Sequence, residues 1–277
     1  MGHNEIDSLN DHRTEIDRGE RFRFGANWSR FLRLLDEERI RGAEEALRSM
    51  LDVGDRRGIR FLDIGSGSGL MSLAARRLGM NVTSFDYDPQ SVACTAEVKA
   101  RFSAADSEWT ILTGSVLDRE FMAGLGSFDV VYSWGVLHHT GSMWEAIRNA
   151  SERVAAGGSL FIAIYNDQGL PSRYWRMVKR LYNRNAIWRA LMTIAHIPNV
   201  FLARLAVRLA TGRPLERGMS LWYDMHDWLG GYPFEVATPE QVVDYLRPHG
   251  FLVSKLRTCR GRYGCNEFVF RRTTVPT

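Results

Sequence analysis

The most constraining feature of this chain is the run Phe61-Leu62-Asp63-Ile64-Gly65-Ser66-Gly67-Ser68-Gly69, an apolar strand that ends in glycines at alternate positions. Such glycines let the backbone turn tightly and approach a ligand closely at the mouth of the following helix. The flanking sequence repeats the same logic. Strands are expected at Arg60–Ile64, Val82–Phe85, Trp109–Thr113, Phe128–Ser133 and Ser159–Tyr165. Helical stretches separate them at about Gly69–Leu78, after Pro89 and at about Ser142–Val154. Near-continuous apolar strands alternating with helices specify a parallel sheet covered on both faces. Right-handed crossovers make it doubly wound.

The alternation stops at Asn166. The following segment, to Glu235, has two helical stretches and few strand signals. Thr238-Pro239-Glu240-Gln241 then reads as a capped helix start, with Thr at the cap, Pro in the first turn and Gln closing a capping box. That helix ends at Gly250, and two alternating strands, Phe251–Arg257 and Asn266–Arg271, close the chain through a turn at Arg260–Gly264. The expected fold is therefore α/β: a doubly wound, mostly parallel seven-stranded sheet with an antiparallel carboxyl-terminal hairpin. Apolar residues at helical spacing between Phe22 and Leu51 add amino-terminal helices, and a helical insert precedes the last helix. Four regions follow: a mobile stretch at 1–20, helices and α/β core at 21–165, the insert at 166–235, and the final helix and hairpin at 236–277.

The 277 residues suit one large domain with an insertion. No apolar run is long enough to span a bilayer, and Met1–Glu20 lacks the apolar stretch of a secretory signal. The Met-Gly start has Ile6 where a myristoylation motif needs Ser or Thr. Cys94, Cys259 and Cys265 have no metal-ligand spacing, so zinc and a disulfide framework are not expected. These features indicate a soluble cytoplasmic protein. The formal charge of +4 hides a local net of +8 between Asn166 and Ser220. Because the positive charge is concentrated in the insert, it does not imply a nucleic-acid surface.

Asp63 lies two residues before the first glycine, so the ligand facing this loop can carry positive charge, unlike a pyrophosphate. Asp86 ends the second strand, where a carboxylate can accept from both ribose hydroxyls. Tyr87 follows, able to lie on a purine face, and Gly114-Ser115-Val116-Leu117-Asp118 leaves the third strand at adenine distance. The fourth strand runs through Ser133 and Trp134 to His138 and His139. In this order and spacing the chain resembles the class I S-adenosylmethionine-dependent methyltransferases of small molecules, from Phe61 to Tyr165 and again in the last helix and hairpin. The resemblance implies S-adenosyl-L-methionine as cofactor and S-adenosyl-L-homocysteine as product; no carboxylate cluster accompanies the histidines in sequence, so no metal is expected. It implies that Asp63 and the loop residues Gly65, Ser66, Gly67 and Gly69 hold the aminoacyl part. Asp86 would bind the ribose, while Ser115 and Val116 would border the adenine, with Ser115 replacing the acid frequent there. Tyr87, Ser133, Trp134 and, from the amino-terminal helices, Trp28 complete the expected cofactor set. A non-catalytic partner subunit and a nicotinamide-linked dehydrogenase are the rival readings.

Methyl transfer needs alignment and a water-poor pocket, and a hydroxyl acceptor also needs a base. His138 and His139 leave the sheet at its carboxyl edge, and the loop position favours His139. The expected activity is O-methylation of a small molecule; N- or S-methylation by alignment alone is the alternative, and RNA methylation ranks below both. Tyr165 and Asn166 open the insert, and Arg173 heads its basic helix, whose arginines suit a phosphate or carboxylate on the acceptor. The basic insert can equally be a membrane-surface helix pair, or a solvated face combined with packing or homo-oligomer contacts. Between Trp222 and Glu235, a cluster of acids, a histidine and several rings predicts a segment folded over the acceptor, with His226, Asp227, Trp228, Tyr232 and Glu235 facing it.

Overall fold

A computed structural model of the chain describes residues 12–25, 28, 32, 35–51, 57–104, 106–202, 205–206, 209 and 221–274. The strands are β1 (Arg60–Ile64), β2 (Asn81–Asp86), β3 (Trp109–Thr113), β4 (Phe128–Trp134), β5 (Val154–Tyr165), β6 (Phe251–Arg257) and β7 (Cys265–Arg272). They form one sheet in the order β3-β2-β1-β4-β5-β7-β6. The first five strands pair in parallel, and β7 pairs antiparallel with β5 and with β6. The order reverses between β1 and β4, and ligands bind at the carboxyl edge of such a switch point. The glycine loop after β1 and the histidine turn after β4 are therefore neighbours.

Helices α1 (Glu37–Met50), α2 (Leu70–Arg77), α3 (Pro89–Phe102), α4 (Arg119–Gly124) and α5 (Met143–Glu152) surround the core. The insert carries α6 (Leu170–Arg184), α7 (Ala186–His196), a π-helical turn (Ile197–Leu202) and α8 (Leu221–Gly230), and α9 (Pro239–Leu246) precedes the hairpin. Period-two alternation divides the strand residues between two apolar layers. Phe61, Val130, Tyr132, Phe161 and Val269 pack with Ile40 and Leu47 of α1 and Leu73 of α2. Leu62, Ile64, Val131, Leu160, Ile162 and Phe268 pack on the other face with Ala146, Ile147, Val242 and Leu246. A third cluster, Val178, Tyr182, Val200, Met225 and Leu229, holds the insert together.

Four local features depart from the sequence reading. β5 begins at Val154 rather than Ser159, because Phe128 pairs with Val154 across a register shift before the regular ladder resumes. Residues 12–17, for which no helix was expected, are helical. Part of the Trp222–Glu235 segment is helical, as α8, because Met225 and Leu229 recur at i, i+4 and are both fully buried. The last helix ends at Leu246 and continues as a 3₁₀ turn, Arg247–His249, up to left-handed Gly250 (φ 79°). The expected capping box at Thr238 and Gln241 is present.

The two ends of the insert meet. Asn166 pairs with Ala237 in an isolated bridge, Asp167 N donates to the Ala237 carbonyl at 3.1 Å, and Ala237 N donates to that of Tyr165 at 3.0 Å. No helix among the described residues is long and apolar enough to cross a membrane.

Candidate active site

The glycine loop has the backbone that its sequence demands. Gly65, Gly67 and Gly69 adopt φ of 76°, 55° and 77°, a region L side chains avoid. A side chain at Gly67 would meet the Trp28 indole at 3.0 Å, so Trp28 lies directly on the loop. Ser66 is tied to Thr95 at 2.9 Å. Asp86, at the tip of β2, accepts from Gly67 N and Asp88 N, both at 2.9 Å. Burial raises the Asp86 carboxyl to about 6 despite those amides. Ser115 accepts from Leu117 N at 3.2 Å, and buried Val116 offers its carbonyl to Asn149 at 2.9 Å.

The other expected cofactor residues each make a hydrogen bond within the protein. Asp63 ends a buried chain in which Trp109 donates to Ser84 (2.7 Å), Ser84 meets Ser72 (2.7 Å), and Ser72 donates to Asp63 (2.5 Å). Burial raises Asp63 to about 7, opposed by the Ser72 bond and reinforced by Asp86. Ser133 donates to the Ile64 carbonyl at 3.0 Å, locking β4 to β1. Trp134 donates to Glu267 of β7 at 3.0 Å. Asp63 is thus tied to α2, Ser133 to β1 and Trp134 to β7.

An amino-terminal strap reaches the tip of β2. Gly25 N donates to Asp88 at 2.8 Å, and the other oxygen of that carboxylate caps α3 at Gln90 N. The Arg21 guanidinium lies 4.9 Å from the Tyr87 ring centre, pairs with Glu15, and donates to the His139 carbonyl at 3.1 Å. His12 meets the other edge of Tyr87 at 5.1 Å. Arg21 thus connects the β2 tip to the histidine turn.

His138 and His139 occupy that 3₁₀ turn, Leu137–His139, and both are buried. His139 Nδ1 lies 2.5 Å from the Pro233 carbonyl, so it carries the proton and leaves the Nε2 lone pair as the basic site. His138 has the opposite arrangement: Nδ1 accepts from Tyr165 N at 3.4 Å, and Nε2 has no hydrogen-bond partner among the described residues. Burial holds His139 down to about 3, helped by the Lys179 and Arg21 charges and opposed by the Pro233 carbonyl. His138 lies well below the ordinary imidazole range, again first through burial and then through His139 and Lys179.

Rings surround the pair. Phe24 packs on His139 at 5.0 Å and Tyr165 on His138 at 4.1 Å, with Phe234 and Trp228 at 5.4 and 6.1 Å from Tyr165. Lys179, 1% exposed, lies among them. Its ammonium donates to the Trp228 carbonyl and sits 4.4 Å from the Trp228 ring centre and 5.0 Å from that of Phe234. Lys179 belongs to the same α6 as the arginines headed by Arg173, expected to meet the acceptor. Its spacing, four residues after Trp175 and three before Tyr182, places it on the apolar stripe instead, and that was the available signal.

The expected acceptor residues fall into three groups. Tyr165, Trp228, Tyr232 and Glu235 reach the histidine corner: Glu235 N donates to the His138 carbonyl at 2.9 Å, and Tyr232 accepts from Phe22 N at 2.9 Å. Glu235 also caps α5 at Met143 N (3.0 Å), and burial raises its carboxyl. His226 instead meets the Tyr182 hydroxyl at 2.6 Å, Asn166 bonds Asn266 at 3.0 Å, and Arg173 is exposed on α6. The Asp227 side chain lies outside the described residues. A cavity of about 360 Å³ opens beside the 232–236 strip, lined by Trp144, Arg176, Tyr232 and Glu235 among others. A smaller cleft runs between Tyr165, Asn166, Trp175, Trp228, Phe234 and Tyr263. Among the described residues no group of three His, Cys, Asp or Glu side chains could hold a metal.

Residues 35–206 match the family described as methyltransferase domain. A ubiquinone biosynthesis O-methyltransferase of Caulobacter sp. (strain K31) is 34% identical over 109 residues, 39% of this chain and 42% of that protein. Its counterpart in Xanthomonas campestris pv. campestris (strain B100) is 33% identical over 109 residues, 39% of this chain and 44% of that protein. The match thus spans less than half the length of these curated relatives. Among solved structures, magnesium protoporphyrin IX methyltransferase from Synechocystis PCC 6803, with bound S-adenosylhomocysteine, superposes with a TM-score of 0.52 at 14% identity, covering 84% of this chain and 83% of that one. An O-methyltransferase family protein from Burkholderia thailandensis gives 0.53 at 16% identity, covering 85% and 57%. These two share the fold, including the seven-stranded mixed sheet. The family match covers more than half of the chain, and the chain belongs to the methyltransferase-domain family, with the class I fold.

Proposed function

We propose that the protein is an S-adenosylmethionine-dependent methyltransferase that methylates an oxygen of a small-molecule acceptor. The observation that carries this reading is the adjacency, at one sheet edge, of a glycine cradle with Asp86 and a buried imidazole with a free ring nitrogen. The cradle suits an adenosyl sulfonium ligand: its three positive-φ glycines allow close backbone approach, and Asp86, beside the loop at the tip of β2, would accept from a ribose diol. Gly65, Gly67 and Asp86 would hold that ligand, with Tyr87 and Trp28 against it. When bound, it supplies an activated methyl group.

The remaining chemistry belongs to the chain. Phe24, Tyr165, Phe234 and Trp228 exclude water and hold a planar acceptor. His139 Nε2 takes the hydroxyl proton, while the Pro233 carbonyl fixes the tautomer and the ring plane. The curated relatives, named as O-methyltransferases, support an oxygen acceptor.

Calorimetric titration with S-adenosylmethionine and S-adenosylhomocysteine, wild type beside Asp86→Ala, tests the reading. We expect micromolar binding that weakens at least about tenfold in the variant, the loss of one charge-assisted contact. No binding of either ligand to the wild type would overturn the enzyme assignment.

A further inference from the structure

Helix α6 carries two apolar stripes. Trp175, Val178 and Tyr182 belong to the cluster that holds the insert together. Leu170, Tyr174 and Met177 form a second row at i, i+4 and i+7, and all three are exposed, Leu170 to 76%. Helix α7 repeats the pattern: Ile187, Leu191 and Ile194 have the same spacing and are 72%, 49% and 66% exposed. A helix that packs through one face normally turns polar residues outward. Here both helices turn a row of large apolar side chains to solvent.

The two helices are neighbours. Only Asn185 separates them, and the Tyr174 hydroxyl meets His196 Nε2 at 2.8 Å, tying the start of α6 to the end of α7. They therefore lie side by side and antiparallel. Exposed Arg173, Arg180 and Arg184 recur at i, i+7 and i+11, a stripe beside the outward row of α6 and away from its buried one. Their own segment supplies no neutralising acid: no Asp or Glu occurs from Gln168 to Leu215.

Apolar rows beside unneutralised guanidinium groups call for a partner that is anionic at its surface and apolar beneath. A bilayer with anionic headgroups has that layering. A second copy of the chain would set one acid-free basic face against another, and a nucleic acid offers the Ile and Leu side chains no apolar layer to enter.

We propose that the outward face of α6 and α7 is a membrane-docking surface that seats the protein on an anionic bilayer. The helices lie in the plane of the surface. Ile187, Leu191 and Ile194 enter the boundary between headgroups and acyl chains, and Arg173, Arg180 and Arg184 meet the lipid phosphates. Docking of this kind is independent of the methyl-transfer reading, so vesicle binding and S-adenosylhomocysteine binding can fail separately.

The test is co-sedimentation of the full chain with phosphatidylcholine vesicles, alone or containing about 30% phosphatidylglycerol. Binding is expected on the anionic vesicles, weak on the neutral ones, and reduced by added salt. Replacing Arg173, Arg180 and Arg184 together by Gln should lower the partition coefficient on the order of 100-fold, about fivefold per arginine. Ile187→Ser with Ile194→Ser should lower it at least about tenfold, while Arg119→Gln, exposed on α4, should leave it unchanged. All the substituted side chains are exposed, and the urea midpoint of each variant reports whether it is folded. Equal partition onto neutral and anionic vesicles, or no binding to either, overturns the proposal whatever the variants do. So does vesicle binding that persists in both folded multiple variants. A homodimer in sedimentation equilibrium that Ile187→Ser with Ile194→Ser dissociates, or RNA binding in place of vesicle binding, overturns it as well.

Discussion

Asp63 and Asp86 both lie at or next to the carboxyl ends of neighbouring strands, yet their surroundings differ. Asp86 closes the glycine loop from outside through Gly67, whereas Asp63 anchors a buried chain of hydroxyls ending at the Trp109 indole. The sequence shows that an acid precedes the glycines. It does not show that Ser72, nine residues on, turns its hydroxyl back toward that acid, because this depends on how α2 packs on β1. His139 is a comparable case: its loop position is legible, but its tautomer is set by the Pro233 carbonyl, far away in sequence. His139→Gln should lower turnover by about 10²–10⁴-fold, the usual worth of a general base, with S-adenosylhomocysteine affinity unchanged in calorimetry. A loss of affinity with turnover intact would remove the base assignment.

At the level of elements, the parallel strands and the closing hairpin were legible because apolar runs and alternating runs are strong local signals. α4 and α8 were not anticipated. α4 spans six residues, and α8 lies in a segment whose rings and charges obscure the i, i+4 recurrence of Met225 and Leu229. For the amino-terminal strap the individual contacts were not legible, because Gly25 to Asp88 and Arg21 to Tyr87 are tertiary pairs with no periodicity of their own. Two substitutions probe elements directly. Thr238→Ala should cost about 1 kcal/mol in denaturant unfolding, since it removes one half of the capping box on α9. Phe268→Ala, fully buried in β7 at the centre of the closing hairpin, should cost about 3–5 kcal/mol. A similar cost for the two would mean that the hairpin does not carry the core.

Across the whole molecule, buried titratable groups set the response to pH. Asp63 binds its proton up to about pH 7 when folded but only to about 3.8 when unfolded. Between those values the folded state holds more protons, so this group's contribution to stability declines as pH rises. His139 has the opposite sign: unfolded it binds a proton below 6.5, folded only below about 3, so it destabilises the protein as pH falls through that interval. Asp63→Asn should therefore gain stability relative to the wild type on going from pH 4 to pH 8. The expected gain is on the order of 2 kcal/mol, read as the difference between two urea-unfolding series. A difference that is flat with pH would show that Asp63 is ionised throughout.

The paired stems at Asn166 and Ala237 bear on how such a protein can diversify. The chain leaves the sheet and returns to it at one doorway, held shut by Asp167, Tyr165 and Ala237 backbone bonds, so the path between those points can lengthen, shorten or change its helices without altering the spacing of the strands. The cost of closing a loop grows only slowly with its length, which makes the excursion tolerant of replacement. The excursion can therefore be replaced as a unit while the glycine loop and Asp86 keep their places. Only the 232–236 strip, bonded to both histidines, would have to travel with the core.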